Sequence, residues 1–455
     1  MPYRVSLISN ANQSQKITFL LPTASTAAVF KAAKDKLRLK RPSRVFLPGG
    51  DEITENELPG HLENGVELLI SCGEDFIGLR KSSSTNSNCQ VELIAKQSFV
   101  DANAKTQLHA TASLAGMVQA VGMPDLHPGT KSPVGAAFVS EGFIHPPLIG
   151  GDIGCGMAVF RTSLSSNEVS DSGVKKLAEK LVGVEGPCEQ AAVFLTNYFL
   201  AEEIEEVRKW EPSLGTIGGG NHFAEFQQIT KATTDDFTVD EVVLVVHSGS
   251  RGLGQQILKE SATSYSVDDP AATEYLRRHD IACRWAKANR DRIALRFLSK
   301  ISRHDLSFND LKPLRILDIW HNNVEFNDEE KTYVHRKGAA PSTAGIVIIP
   351  GSRGTLSAYV EPIPTPATAY SLAHGAGRAQ SRSSAFKKLS KRYRPEDLQR
   401  TPLGGWVICE DKDLIYEEAP EGYKEIETVV ADLVQVGACD VIAWGMPRVS
   451  YKVRK

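Results

Sequence analysis

Along the chain the apolar positions change period, and each change predicts an element. Tyr3-Arg-Val-Ser-Leu-Ile-Ser9 and Lys16-Ile-Thr-Phe-Leu-Leu21 read as the two strands of a hairpin. A helix over residues 26–37, a short strand over 44–47 and a last strand over 66–70 follow, with Pro48-Gly-Gly-Asp51 as a turn. From Val91 onward short apolar runs alternate with longer helical stretches. The pattern predicts helices over 103–117, 173–181 and 202–210 and a strand over 133–139. It also predicts a longest helix over 271–301, from the spacing of Tyr275, Ile281, Trp285, Ile293 and Phe297. Strands over 242–246, 314–319 and 346–349 are apolar throughout, and each runs into a segment bearing histidine or glycine. Chemistry is therefore expected at strand ends.

Between the two halves lies Lys81-Ser-Ser-Ser-Thr-Asn-Ser-Asn88, small and polar with no apolar period, which reads as a linker. The expected organisation is a module over 1–78, a linker over 79–90 and a main domain over 91–455. A chain of 455 residues accommodates that division. The ββαβ(β) order of the first module resembles a ubiquitin-like β-grasp fold, whose expected role is docking a partner. The main domain is expected to be α/β with a mixed sheet.

Composition narrows the classes. A hydrophobic fraction of 41% and a charged fraction of 24% are those of an ordinary globular protein. With a formal net charge of -3, bulk charge supplies no argument for nucleic-acid binding, so any basic surface must be local. Lys387-Lys-Leu-Ser-Lys-Arg-Tyr-Arg394 is such a run, or else the solvated end of a helix. Seven cysteines, odd in number and irregular in spacing, argue for a reducing compartment. Neither a membrane-length apolar run nor a signal-peptide pattern is seen, so a cytosolic or nuclear location is expected and no membrane partner.

The candidate chemistry centres on Gly150-Gly-Asp-Ile-Gly-Cys-Gly-Met157, which sets Asp152 and Cys155 three residues apart on a glycine-softened backbone. Single histidines recur in similar settings at His222, His247, His321 and His374. Oxygen, sulfur and imidazole nitrogen together suit Mn²⁺, Zn²⁺, Fe²⁺ or Co²⁺ better than Mg²⁺ or Ca²⁺ alone. A bridging carboxylate and thiolate would allow two ions, an arrangement that activates phosphate chemistry. Three loops, Gly215-Thr-Ile-Gly-Gly-Gly-Asn-His222, Ser248-Gly-Ser-Arg-Gly252 and Pro350-Gly-Ser-Arg-Gly-Thr355, place amides beside hydroxyls and arginines, and predict binding of nucleotide or RNA phosphates. His374, flanked by Gly375, reads as a nucleophile, a fifth metal ligand or a plain loop residue.

Several strings together resemble the RtcB family of GTP-dependent RNA ligases. They are Pro124-Asp-Leu-His-Pro-Gly129, Asp152-Ile-Gly-Cys-Gly156, Gly218-Gly-Gly-Asn-His-Phe223, His247-Ser-Gly-Ser-Arg-Gly-Leu-Gly254, His335-Arg-Lys-Gly-Ala339, His374-Gly-Ala-Gly-Arg378 and Glu417-Glu-Ala-Pro420. The wording of the first two is closest to the branch linked to release factor H. The resemblance implies an RtcB-like fold and two Mn²⁺ ions held by Asp152, Cys155, His222, His247 and His321, with Cys155 bridging. It implies that His374 takes GMP from GTP. Guanosine contacts would fall on Asn221, His222, Phe223, Ala224, Glu225, His321, Asn322, Pro350, Gly351, Ser352, Arg353, Ser357, His374, Gly375, Ala376, Gly377 and Lys452. The implied reaction joins an RNA 3′-phosphate or 2′,3′-cyclic phosphate end to a 5′-hydroxyl end through an RNA-(3′)pp(5′)G intermediate, in RNA repair or tRNA splicing. An archease-type activator is a further implied partner.

The chain departs from the family pattern at Arg353, where methionine is usual, and at its end, where Lys-Gly becomes Lys452-Val453. Two other classes predict different outcomes. A non-catalytic RNA-end or nucleotide-binding homologue would form no covalent adduct with GTP. A metal-dependent cyclic phosphodiesterase or phosphatase would release phosphate and join nothing.

Overall fold

The computed structural model describes residues 3–62, 66–77 and 89–453, except 14, 187, 189, 262 and 303. The proposed linker over 79–90 lies almost entirely outside them. The chain divides into two compact units, the first 87 positions and the bulk of the remainder.

In the first unit the strands Tyr3–Ser9 and Lys16–Leu21 pair antiparallel, and Tyr3–Ser9 also pairs parallel with Val66–Ser71. Arg44–Phe46 completes the sheet on the far side of Val66–Ser71. The helix Thr26–Lys36, capped by the Ser25 side chain, buries Val29, Ala32 and Ala33. They join a wholly aliphatic core with Val5, Leu7, Leu21, Leu68 and Ile70.

In the second unit a 32-residue helix, Pro270–Ile301, is the longest element. Asp269 caps it and proline opens it, a combination that fixes its start. Its Tyr275, Trp285, Ile293 and Phe297 are buried in a core shared with Val242, Leu244 and Val246. Those residues alternate along the strand Val242–Ser248 with Val243 and Val245, which face a second core on the opposite side of the sheet. Burial on both faces explains why this strand reads as one unbroken apolar run. The sheet has eight strands, and four of its neighbours run Arg315–Trp320, Gly156–Arg161, Val242–Ser248 and Phe223–Ala232, each antiparallel to the next. Trp406–Cys409 adds a parallel pairing on Cys439–Lys452, so the sheet is mixed. A five-stranded sheet built from Asn322–Asn327, Thr332–Lys337, Val134–Ser140, Met117–His127 and Gln90–Leu93 is mixed as well. The second unit is thus mixed α/β.

Two sequence expectations need correction. The helix expected over 103–117 is Ala102–Ala112, and Met117 instead opens an eleven-residue strand, Met117–His127. That strand is buried along most of its length, so it lacks the period-2 alternation that would have marked it. The helix expected over 202–210 ends at Val207, and a 3₁₀ segment, Arg208–Ser213, containing Pro212, takes its place. No helix among the described residues is long and apolar enough to cross a membrane.

Candidate active site

Antiparallel order brings four chain turns to one sheet edge. Cys155 precedes the strand Gly156–Arg161 and His222 precedes Phe223–Ala232, while His247 lies at the end of Val242–Ser248 and His321 follows Arg315–Trp320. Strands that begin here and strands that end here therefore deliver side chains to the same place. The His321 amide donates to the Cys155 carbonyl at 2.8 Å and the Gly154 amide to that of Asn322 at 2.8 Å, tying two of the turns together.

The donor atoms converge. Cys155 Sγ stands 3.3 Å from Nε2 of both His222 and His247, and the three ligand atoms lie within 4.8 Å of one another. His321 Nε2 is 3.2 Å from His247 Nε2, and Asp152 Oδ2 is 2.8 Å from His222 Nε2. All three histidines are buried. Burial, with His222 and His374 nearby, pushes the His247 imidazole well below its usual range, and burial with His374 and His247 does the same to His321. Burial and the Asp152 charge push the Cys155 thiol well above its range. Burial would also raise the Asp152 carboxyl, but the His222 charge and hydrogen bond outweigh it and hold that carboxyl low. A carboxylate, a sulfur and three imidazole nitrogens stand at hydrogen-bonding distance from one another. A divalent cation there would supply the charge a thiolate needs, and this mixture of oxygen, sulfur and nitrogen donors fits one.

A buried ion pair braces this edge from behind. Arg290 binds Asp318 Oδ1 at 2.9 Å through Nε, and its Nη1 donates at 2.9 Å to the carbonyls of Gly154 and Ser248, one beside each of two donor turns. At Gly249 a Cβ would come within 2.1 Å of an Asp152 oxygen, so only glycine lets the carboxylate approach.

His374 follows the short strand Ser371–Ala373, which pairs with Ala339–Pro341, and its ring centroid lies 4.8 Å from that of His321. Its Nδ1 meets Asp125 Oδ2 at 2.7 Å. Asp125 is fully buried in the strand Met117–His127, and Lys424 Nζ donates to the flanking carbonyls of Pro124 and Leu126 at 2.9 and 2.8 Å. Gly377, at φ 71°, lies so close that a Cβ would stand 2.2 Å from the Asp125 carbonyl oxygen.

Two cavities open onto His374. The first is lined by Asn221, Phe223, Glu225, residues 350–353, Ser357, residues 374–377 and Lys452. Glu225 accepts from Gln227 Nε2 at 2.8 Å and from the Ser450 hydroxyl, and burial raises its pKa. Arg353 donates to the Ile415 carbonyl at 2.7 Å, while its buried Nη1 has no protein partner. Aromatic walls and a few fixed polar groups suit a purine nucleoside. The second, larger cavity is lined by Asp152, Cys155, His321, Asn322 and His374, among others.

Ala224 is the expected contact that the fold turns away. Alternation along Phe223–Ala232 points Phe223 and Glu225 to the cavity side and Ala224 into the helical core. His222 belongs to the donor cluster and lines neither cavity. Of the three glycine loops, Ser248-Gly-Ser-Arg-Gly252 also lines neither; Arg290 and Asn289 hold its carbonyls instead. Sequence reasoning gave no role to Asp125 or to Glu418. Both lie inside quoted strings, but their partners are distant in the chain. Glu418, buried in the first cavity wall, binds Arg378 Nη1 and Arg382 Nε at 3.1 Å each and the Tyr423 hydroxyl, with Lys452 Nζ at 3.8 Å. Burial would raise its pKa, but the charges of Lys452, Arg378 and Arg382 prevail and lower it.

A family model described as tRNA-splicing ligase RtcB matches residues 107–206 and 188–453. An Escherichia coli protein named RNA-splicing ligase RtcB2 is 39% identical over 372 residues, covering 78% of this chain and 93% of its own. RNA-splicing ligase RtcB of Escherichia coli K12 is 30% identical, covering 77% of this chain and 96% of its own. The tRNA-splicing ligase RtcB of Methanococcus maripaludis is 29% identical, covering 71% and 86%.

Proposed function

The chain belongs to the RtcB family of ligases, and from that premise we propose that it joins RNA 3′-phosphate or 2′,3′-cyclic phosphate ends to 5′-hydroxyl ends through a guanylated His374. The observation that carries this reading is the hydrogen bond between His374 Nδ1 and the buried Asp125 carboxylate. It places the ring proton on Nδ1 and leaves the Nε2 lone pair for attack. In this proposal Nε2 attacks the α-phosphorus of GTP, an N–P bond forms, and the bond to the departing pyrophosphate breaks. A 2′,3′-cyclic phosphate end is first opened by water, which breaks the bond to O2′ and leaves a 3′-phosphate and a free 2′-hydroxyl. An oxygen of the RNA 3′-phosphate then takes the guanylyl group as the N–P bond to His374 breaks. The 5′-hydroxyl attacks the resulting anhydride and releases GMP.

Asp152, Cys155, His222, His247 and His321 would hold two Mn²⁺ ions. When bound, such ions polarise phosphate oxygens and offset the charge that develops on them. Phe223, Glu225, Ser357 and Lys452 would hold guanine, with Glu225 accepting from its N–H groups. Asn322 is a brace in this reading, since its amide donates to the Asp152 carbonyl at 3.2 Å and accepts from the Gly338 amide at 2.7 Å. Arg353 would direct its unpartnered Nη1 to the nucleotide. Participation in RNA repair or tRNA splicing in the cytosol or nucleus, and an archease-type activator, belong to the same proposal.

For the first unit we propose a ubiquitin-like β-grasp that docks a protein partner. Support comes from its strand order, in which the two central strands Tyr3–Ser9 and Val66–Ser71 run parallel and the helix Thr26–Lys36 packs its buried residues against the sheet.

The test is direct. Purified protein is given one RNA ending in a labelled 3′-phosphate, a second beginning with a 5′-hydroxyl, Mn²⁺ and GTP. A joined, phosphatase-resistant product that requires GTP is expected. Release of free phosphate without joining would contradict the proposal.

A further inference from the structure

One basic feature of the second unit has no part in the reaction just described. The helix Arg382–Leu389 begins at the large cavity, where Arg382 and Ser383 line the wall that also carries Cys155, His321 and His374. Its inner side is anchored, with Ala385 and Leu389 buried against Leu398, Ile415, Tyr416 and Ala419. The opposite side bears Lys387 and Lys388 in the last turn, and Lys391 follows in the next turn of chain. With Ser383 and Ser384 these lysines line one open depression. Ser383 belongs to both the cavity and the depression, so the lysines adjoin the cavity that Asp152, Cys155, His321 and His374 line.

The spacing is what puts them together, because residues three and four apart share a helix face, as Ser383 with Lys387 and Ser384 with Lys387 and Lys388 do. All three lysines are exposed, and none forms an ion pair among the described residues. No acidic residue lines the depression. The helix dipole favours cations in a last turn, which accounts for Lys387 and Lys388. It does not account for Lys391, nor for three like charges converging on two hydroxyls, an arrangement that repels itself until an anion is bound.

We propose that this lysine-lined depression binds the phosphodiester backbone of an RNA strand whose terminus reacts at His374. The inference rests on the ligase reading. On an open surface, flexible ammonium groups and small hydroxyls meet the backbone phosphates, which carry no sequence information, so binding here is expected to be independent of sequence. RNA long enough to reach from the cleft to Lys391 gains affinity that a di- or trinucleotide end does not. The contact is electrostatic, so this gain is sensitive to salt.

The test uses the full-length chain with K387E/K388E/K391E and, as a milder companion, K387Q/K388Q/K391Q. Three quantities are compared with wild type: covalent guanylation by GTP, ligation of long RNA and ligation of very short RNA. The expected result is unchanged guanylation and unchanged joining of the short pair, with KM for long RNA raised tenfold or more in the Glu variant and less in the Gln variant. The slope of log affinity against log salt should fall by about 2 on loss of three single-strand phosphate contacts. Wild-type KM and salt slope for long RNA in the Glu variant would overturn the inference, and so would an equal loss for short and long RNA. An acidic protein as the true occupant would give the first of these outcomes. Absence of guanylation in the wild-type protein would instead strike the ligase reading itself.

Discussion

The two units bury different things. In the first, buried polar groups are confined to Ser6, Ser9, Asn10 and Ser71, and every described ionisable side chain stays at least partly in solvent. In the second, Asp125, Glu225, Arg290, Arg353, Glu418, Lys424 and Lys452 are buried along with His222, His247, His321 and His374 at the cleft. Burying a charge is costly unless it is paired, so a fold concentrates such groups only where something compensates them. Burial alone does not mark a site, however. Arg448 is buried too, yet it donates to the carbonyls of Val169 and Leu403 and to Asp171. At the cleft some polar atoms lack protein partners, among them Asp125 Oδ1 and Arg353 Nη1. A single unpartnered atom does not separate the two, since Asp318 Oδ2 in the brace has none either; convergence of several polar groups on one open cavity does.

Four changes break or sharpen that contrast, in falling order of effect. Cys155→Ala removes the sulfur at the centre of the donor set, and elemental analysis should show at least one Mn²⁺ lost per chain with ligation abolished. Full metal occupancy in the variant would defeat its role as a ligand. Asp318→Ala leaves Arg290 buried without its carboxylate, and chemical denaturation should show a loss of about 3–5 kcal/mol, with weaker metal binding because the Gly154 and Ser248 carbonyls lose their anchor. Leu68→Ala opens a void in the aliphatic core of the first unit and should destabilise that unit by about 2–5 kcal/mol. Guanylation should be untouched, since every residue proposed for the chemistry belongs to the second unit.

The smallest effect is one of pH. Burial lowers the Lys424 pKa from 10.5 to about 8. The unfolded chain therefore binds the extra proton between those values, and stability gained relative to Lys424→Met should increase as pH rises from 8 to 10.5. A difference that stays flat across that window would mean the amine is better solvated than its 9% exposure implies.

Much of this contrast was legible in the chain before folding. Strong periodicity gave the long helix, expected over 271–301 and found as Pro270–Ile301, and the apolar strand that delivers His247. Candidate ligands stood out because each followed or preceded an apolar run amid glycines. The strand Met117–His127 was hidden, since burial on both sides erases alternation, and with it went the role of Asp125. Pairings such as Asp125 with His374, 249 positions apart, or Arg290 with the Gly154 carbonyl, leave no trace in local pattern. Ala224 is a different case: it sits in a string of expected contacts, and strand alternation turns its side chain into the core.

The central claim is that His374, held by Asp125 beside the donor cluster, becomes covalently charged. The most direct measurement is peptide mapping by mass spectrometry after incubation with Mn²⁺ and GTP, for wild type, Asp125→Asn and His374→Ala. The account predicts an acid-labile GMP adduct on the His374 peptide, much reduced in Asp125→Asn and absent in His374→Ala, whose metal content stays at the wild-type level. An adduct on another residue, or bound metal lost together with His374, would contradict it.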